Sequence, residues 1–297
     1  MPHVETLGVS LTNSQMDDYI RHLFAYVDPN RLQTFSCGHI IPKENLVALP
    51  VAKGSGGVDL DFTYDKRNSL TVIDALGNSI IEFGASIPDG LVVFFPSYAY
   101  LDQVVRRWQT KSKDRSKSFW EHLLDIKPIF RESKTTTGVD DVFIQYTQAI
   151  SAGKGGLLLS VIGGKLSEGI NFADALGRGV IVVGLPFPNI QSAQWKAKLE
   201  YVERSTIERG GGREEGKALA REFYENACMR AVNQSIGRVV RHKADYACIL
   251  LLDGRYNSSR IQGKLPAWIR QGMGDQSVRA DFRETVARVK AFFEAHA

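Results

Sequence analysis

Apolar residues recur along the chain in two patterns. Short, largely apolar runs lie at residues 91–95, 157–162, 179–185 and 247–252, the first three closed by Pro96, Gly163-Gly164 and Pro186. Runs of this length predict strands buried on both faces. Between them, residues 98–108 and 139–150, and a long stretch from Leu219 onward, carry apolar positions at helical period. Strands alternating with helices predict an α/β fold: a parallel sheet with helices on both faces.

The flanks are less regular. Residues 11–27 place Met16, Ile20, Leu23, Phe24 and Val27 at helical spacing, with Asn13 or Ser14 as a cap and Pro29 as a stop. Residues 58–64 alternate Val58, Leu60, Phe62 and Tyr64 with Asp59, Asp61 and Thr63, which predicts a half-buried strand. Residues 208–216 are glycine-rich and charged and read as a mobile surface loop; residues 278–296 read as an amphipathic helix. The expected organisation is a helical lead-in over 1–35, a sheet domain over 36–275 and a terminal helix over 276–297.

Composition narrows the class. With 297 residues, 43% of them hydrophobic, the chain can bury a real core. A net charge of +4 permits a nucleic-acid partner without requiring one. The three cysteines, Cys37, Cys228 and Cys248, are far apart and form no C-x-x-C pair. Neither a zinc ribbon nor a disulfide framework is expected, and the compartment reads as reducing and intracellular. No apolar run approaches the roughly 20 residues of a membrane span, and residues 1–15 lack a secretory pattern.

Candidate chemistry begins with an absence. There is no G-x-x-x-x-G-K-[ST] phosphate loop: Leu166 follows Gly163-Gly164-Lys165 where a hydroxyl is needed, and Gly153-Lys154-Gly155 fails likewise. No acidic Asp-Glu-x-His box follows a strand. No protein metal site is expected.

Three constellations remain. Gln234-Ser235-Ile236-Gly237-Arg238-Val239-Val240-Arg241 ends the long helical stretch. Helical spacing would put Gln234, Arg238 and Arg241 on one face, where two guanidiniums and an amide suit a polyphosphate; the alternative is a solvated basic face. Gly237 would permit close approach of a backbone or ligand. Next, residues 164–172 follow a predicted strand, where parallel sheets form their ligand crevice. Glu168 and Asn171 could meet a ribose or water, and Lys165 and Ser167 a phosphate backbone; a purely structural turn is the alternative. Last, Phe94-Phe95-Pro96-Ser97-Tyr98 ends another strand. Ser97 could cap the next helix and Tyr98 could stack on a base, or simply pack.

Together these segments, in this order, resemble helicase motifs IV, V and VI of superfamily 2, in the form used by the XPD-like iron–sulfur DNA helicases. Residues 36–42, Val183-Gly184-Leu185-Pro186-Phe187-Pro188-Asn189, Asp253-x-Arg255-Tyr256 and Leu265-Pro266-Ala267-Trp268-Ile269 add to the likeness. Asn171 and the Leu-Pro-Ala-Trp-Ile segment are most similar to the chromosome-loss, or sister-chromatid cohesion, branch. The resemblance covers about residues 30–275.

It implies a RecA-like second motor lobe of a 5′-to-3′ DNA helicase. Arg241 would be the arginine finger, Arg238 its neighbour on the triphosphate, and Gln234 a contact to the γ-phosphate or attacking water. Glu168, Gly169, Asn171 and Gly237 would border the nucleotide. Ser97, Tyr98, Lys165, Ser167 and Asn189 would line single-stranded DNA. ATP and Mg²⁺ would be shared with a first lobe that supplies the phosphate loop, and the family's iron–sulfur cluster would also lie outside this chain. Cys37 and His39 read as structural. The resemblance further implies a nuclear location and cohesion or replication partners. On this reading the chain is part of a longer helicase and turns over little ATP alone. Two other readings are an inert DNA-binding or partner-docking module, and an unrelated, self-sufficient nucleotide-dependent α/β enzyme.

Overall fold

The computed structural model describes residues 13–22, 24, 27–33, 41–111, 116–134, 139–240, 242–273 and 281–296. Arg241, Cys37 and His39 lie outside these residues, as does most of the 36–42 segment.

The chain order is α1 (Asn13–His22), β1 (Leu46–Val51), α2 (Leu70–Ser86), β2 (Gly90–Phe95), α3 (Tyr98–Gln109), α4 (Phe119–Ile126), β3 (Ile129–Arg131) and α5 (Val139–Ser151). There follow β4 (Gly156–Val161), α6 (Lys165–Gly169), β5 (Gly179–Val183), α7 (Ala193–Glu208), α8 (Arg213–Ile236), β6 (Ala247–Leu252), α9 (Ser259–Gln262), α10 (Ala267–Met273) and α11 (Phe282–Glu294). The six strands form one sheet, ordered β1-β6-β5-β2-β4-β3, and every pairing is parallel.

Every residue of β1, β2, β4, β5 and β6 is buried. Alternate side chains enter two separate cores, as strand geometry requires. Leu91, Val93 and Phe95 pack with residues of α2, α3, α4 and α11. Val92 and Phe94 pack on the other face with Tyr146 of α5, Met229 and Val232 of α8, and Ile269 of α10. The continuous apolar runs of the sequence are therefore a sheet covered on both sides, as expected.

Several local expectations are corrected. Residues 58–64 do not form a strand. Their alternation is real: Leu60 and Phe62 are buried and Tyr64 is exposed. Their backbone, however, bonds to several places in turn. Leu60 N–H reaches Ala52 O, Gly254 N–H reaches Leu60 O, and Phe62 N–H reaches Asp253 Oδ2. Asp61 then accepts from Thr63 N–H and bends the chain in an Asx-type turn. The actual strand nearby is β1, which contains Pro50. Proline is tolerated because β1 is an edge strand and must satisfy only one neighbour.

The 208–216 loop shrinks to residues 209–212. Glu214 and Glu215 sit in the first turn of α8, where carboxylates are favourable, and Glu215 accepts from Gly212 N–H. Helix α1 stops at His22, well before Pro29; Phe24 N–H then reaches back to Tyr19 O. Asp18 on α1 accepts from Asn226 Nδ2 at 2.9 Å, which ties this helix to α8.

Candidate nucleotide and nucleic-acid site

Ser97 and Tyr98, the 165–171 segment and Asn189 follow the carboxyl ends of β2, β4 and β5, whereas Gln234, Gly237 and Arg238 lie at the end of the helix that leads into β6. In α/β sheets the carboxyl edge forms the ligand crevice.

Beyond β2, Ser97 caps α3, its Oγ accepting from Tyr100 N–H at 3.2 Å. Tyr98 is half-buried and donates its hydroxyl to Glu132 Oε1 at 2.8 Å. Beyond β4, residues 165–169 form the short helix α6 rather than an open loop. Lys165 is exposed at its start and Gly169 at its end. Ser167 is turned inward: it is 3% exposed, and its hydroxyl donates to Gly164 O at 2.9 Å. That bond closes the α6 turn, so Ser167 presents no group to a ligand. The side chain of Glu168 lies outside the described residues. Asn171 is exposed, while the next residue, Phe172, is fully buried against Phe94 and Phe143 and pins the segment down.

The arginine segment departs from its expected geometry. Helix α8 ends at Ile236, with Gly237 as its C-cap. Arg238 and Val239 then follow tighter turns, donating to Ser235 O and Ile236 O. The helical register that would stack Arg238 on Gln234 therefore does not continue. Gln234 is exposed on the last turn of α8, and Arg238 lies on the turn after it. No other element's backbone crowds Gly237; a Cβ there would meet Asn233 O at 3.1 Å.

One backbone bond joins the two segments: Phe172 N–H donates to Arg238 O at 3.0 Å. The α6 segment and the arginine turn are thus held side by side. A buried guanidinium nitrogen, Arg238 Nε, has no hydrogen-bond acceptor. A cationic donor without an acceptor is costly when dry. Further along, Arg178 bonds Asp245 at 2.9 Å, Asp245 accepts from Asp174 N–H, and Asp174 meets His242 at 3.0 Å. Asp174, His242 and Asp245 bring their ligand-type atoms within 4.8 Å of one another. Arg178 already matches the buried Asp245 charge.

Asn189 stands apart on the loop after β5, exposed, with Oδ1 accepting from Gln191 N–H. That loop is held by the Asp253-x-Arg255-Tyr256 segment. Tyr256 donates to Gly184 O at 3.0 Å, and Arg255 grips Asp253 through two bonds of 2.8 Å while lying over the Phe187 ring. Asn233 Nδ2 donates to Lys264 O, and Leu265 and Ile269 are fully buried, so the Leu-Pro-Ala-Trp-Ile segment packs beneath the site.

Sequence reading missed Glu132. It is 1% exposed at the end of β3, yet its carboxylate accepts four hydrogen bonds. Tyr98 Oη and Leu166 N donate to Oε1; Ser160 Oγ and Val161 N donate to Oε2. A lone Glu after a short apolar stretch carries no local signal; its meaning lies in partners brought from three elements.

Two clefts occur elsewhere. A groove of about 560 Å³ runs between α1, α7 and α8, and one of about 860 Å³ lies between residues 50–57 and the start of α11. No candidate residue lines either. Among the described residues no helix is long and apolar enough to cross a membrane. Burial pushes the Cys228 and Cys248 thiols well up from their ordinary range, so neither is a ready nucleophile or ligand.

The helicase C-terminal domain family matches residues 80–272. The protein called ATP-dependent DNA helicase chl1 of Aspergillus clavatus is 50% identical over 291 residues, which cover 96% of this chain and 40% of that protein. The protein of the same name in Coccidioides immitis is 51% identical over 290 residues, covering 95% and 33%. The Schizosaccharomyces pombe protein is 45% identical over 285 residues, covering 96% and 32%. The chain thus spans 40% or less of the length of these relatives. A solved structure described as XPD_APO shares the fold, with a TM-score of 0.52 and 24% identity over 73% of this chain and 37% of that one. The chain therefore belongs to the helicase C-terminal domain family, and within it is similar to the proteins called chl1.

Proposed function

We propose that this chain is the second motor lobe of an ATP-dependent 5′-to-3′ DNA helicase, supplying arginines to a nucleotide whose phosphate cradle belongs to a first lobe. The observation that carries the reading is the pairing of Phe172 N–H with Arg238 O, beside an Arg238 Nε that has no acceptor. That geometry holds a half-buried Arg238 beside the α6 segment with one guanidinium nitrogen uncompensated, as a half-site awaiting its other half would.

Arg238, Arg241 and Gln234 would hold the triphosphate, with Gly169, Asn171 and Gly237 along its border. The nucleotide supplies the hydrolysable bond, and Mg²⁺ comes with it. The arginines concentrate positive charge where phosphoryl oxygens gain negative charge, an effect typically worth about 10³–10⁵ in rate. Ser97, Tyr98 and Lys165 would carry single-stranded DNA, Tyr98 through its ring and Lys165 through phosphate; Asn189 is a more distant contributor. Helix α6 joins the two sets. Lys165 and Gly169 are four residues apart, about 6 Å along a helix axis, so lobe closure on nucleotide would shift the DNA contact too. A nuclear setting and replication or cohesion partners accompany this reading.

The test is MgATP affinity, measured for the chain alone and after mixing with a separately prepared phosphate-loop lobe. Weak binding alone and tight binding in the mixture are expected. Tight binding by the chain alone would favour a self-sufficient nucleotide enzyme instead.

A further inference from the structure

We propose that Glu132 is a positioning residue for single-stranded DNA, its buried carboxylate locking Tyr98 and the start of α6 into one rigid unit. The inference rests on the DNA-path reading above.

The two oxygens of Glu132 do different work. Strand β3 ends at Arg131, one residue before Glu132, whose own N–H still pairs with Leu159 O. The side chain then folds back, and Oε2 accepts from Val161 N–H at 3.0 Å and Ser160 Oγ at 2.7 Å. It replaces the backbone carbonyl that a longer β3 would have offered to β4. Both donors belong to a strand already fixed between its neighbours, so Oε2 anchors the carboxylate to the sheet. Oε1 points the other way. It accepts from Tyr98 Oη at 2.8 Å and Leu166 N–H at 3.2 Å, which lie in the two segments that follow β2 and β4. Among the described residues no cation pairs with Glu132, so these four donors are what compensates a carboxylate held away from water. The approach is tight as well: a Cβ on Gly164 would lie 2.5 Å from Oε1.

An amide cannot reproduce this arrangement. Glu132→Gln keeps the shape but accepts on one side only. With its oxygen toward Val161 and Ser160, its NH₂ faces Tyr98, whose hydroxyl can rotate to accept, and Leu166 N–H, which cannot. The start of α6 is then released while the sheet is kept. A loss of this kind predicts roughly tenfold weaker single-stranded DNA binding.

The experiment is anisotropy titration of a fluorescent oligothymidylate against the full chain and three variants, with thermal melting in parallel. Glu132→Gln and Tyr98→Phe should each weaken binding, the first by releasing Leu166 N–H and the second by releasing the ring hydroxyl. Ser160→Ala removes only a sheet-side bond, so it should lower stability and leave DNA affinity unchanged. Wild-type affinity in Glu132→Gln overturns the proposal. So does a loss in Ser160→Ala matching that of Glu132→Gln, which would mark a general packing role. If Glu132→Gln does not fold, Tyr98→Phe tests the other bond to Oε1, because it keeps the ring and removes only that bond, and unchanged affinity there overturns the proposal. A wild-type chain that binds no DNA would remove the DNA-path reading itself, and this role with it.

Discussion

At Gly164 three groups close in on the space a side chain would need. A Cβ would lie 2.5 Å from Glu132 Oε1, 2.7 Å from Tyr98 Oη and 2.8 Å from Val161 O. Its φ of −81° is open to any residue, so contact rather than backbone strain excludes a larger side chain. Gly164→Ala is expected to cost about 1–3 kcal/mol, the usual range for overpacking; urea denaturation measures it, and an unchanged midpoint would contradict the contact geometry. Residues of this kind were half-legible in sequence. Ser97 as a cap followed from its place before a helical run. Ser167 did not read correctly, because a serine beside a phosphate-like loop looks the same whether its hydroxyl faces solvent or, as here, Gly164 O. Glu132 was invisible because all of its side-chain partners lie 28 or more residues away.

Elements were legible where their pattern depended on burial alone. The run at 247–252 became β6 without change, since a continuous apolar run of that length fits a strand covered on both faces. The 58–64 segment misled because alternating burial marks any extended chain lying on a core, paired in a ladder or not. Asp61 decides its course. Partial burial works to raise the carboxyl, but bonds from Thr63 and Lys66 outweigh it and hold the group down at about 2. A depressed folded value means the stabilisation is complete above the ordinary value of 3.8 and is lost as pH falls toward 2. Asp61→Asn should therefore show a shallower fall in stability than wild type between pH 4 and pH 2. Parallel curves by urea denaturation across that window would show that the turn draws nothing from the ionised carboxylate. The arginine segment failed at the same scale. Helical spacing was extended through Gly237, whereas α8 stops at Ile236 and the following turns set Arg238 by its contact with Phe172.

For the whole molecule, the apolar pattern implies an all-parallel sheet with two cores, and hydrogen bonds then join Tyr98, Glu132 and Leu166, and Phe172 to Arg238. No local pattern encodes those contacts, because each joins segments separated by 34 or more residues. Among the described residues a buried nitrogen of Arg238 has no acceptor, and no phosphate loop occurs in the 297 residues. Both features suit one half of a two-lobe motor. The most direct measurement is steady-state ATPase with single-stranded DNA, for this chain alone and mixed with the phosphate-loop lobe of a relative. The account predicts turnover only in the mixture, reduced about 10³-fold or more by Arg241→Ala while DNA binding persists. Robust turnover by the chain alone, or an Arg241→Ala mixture as active as wild type, would contradict it.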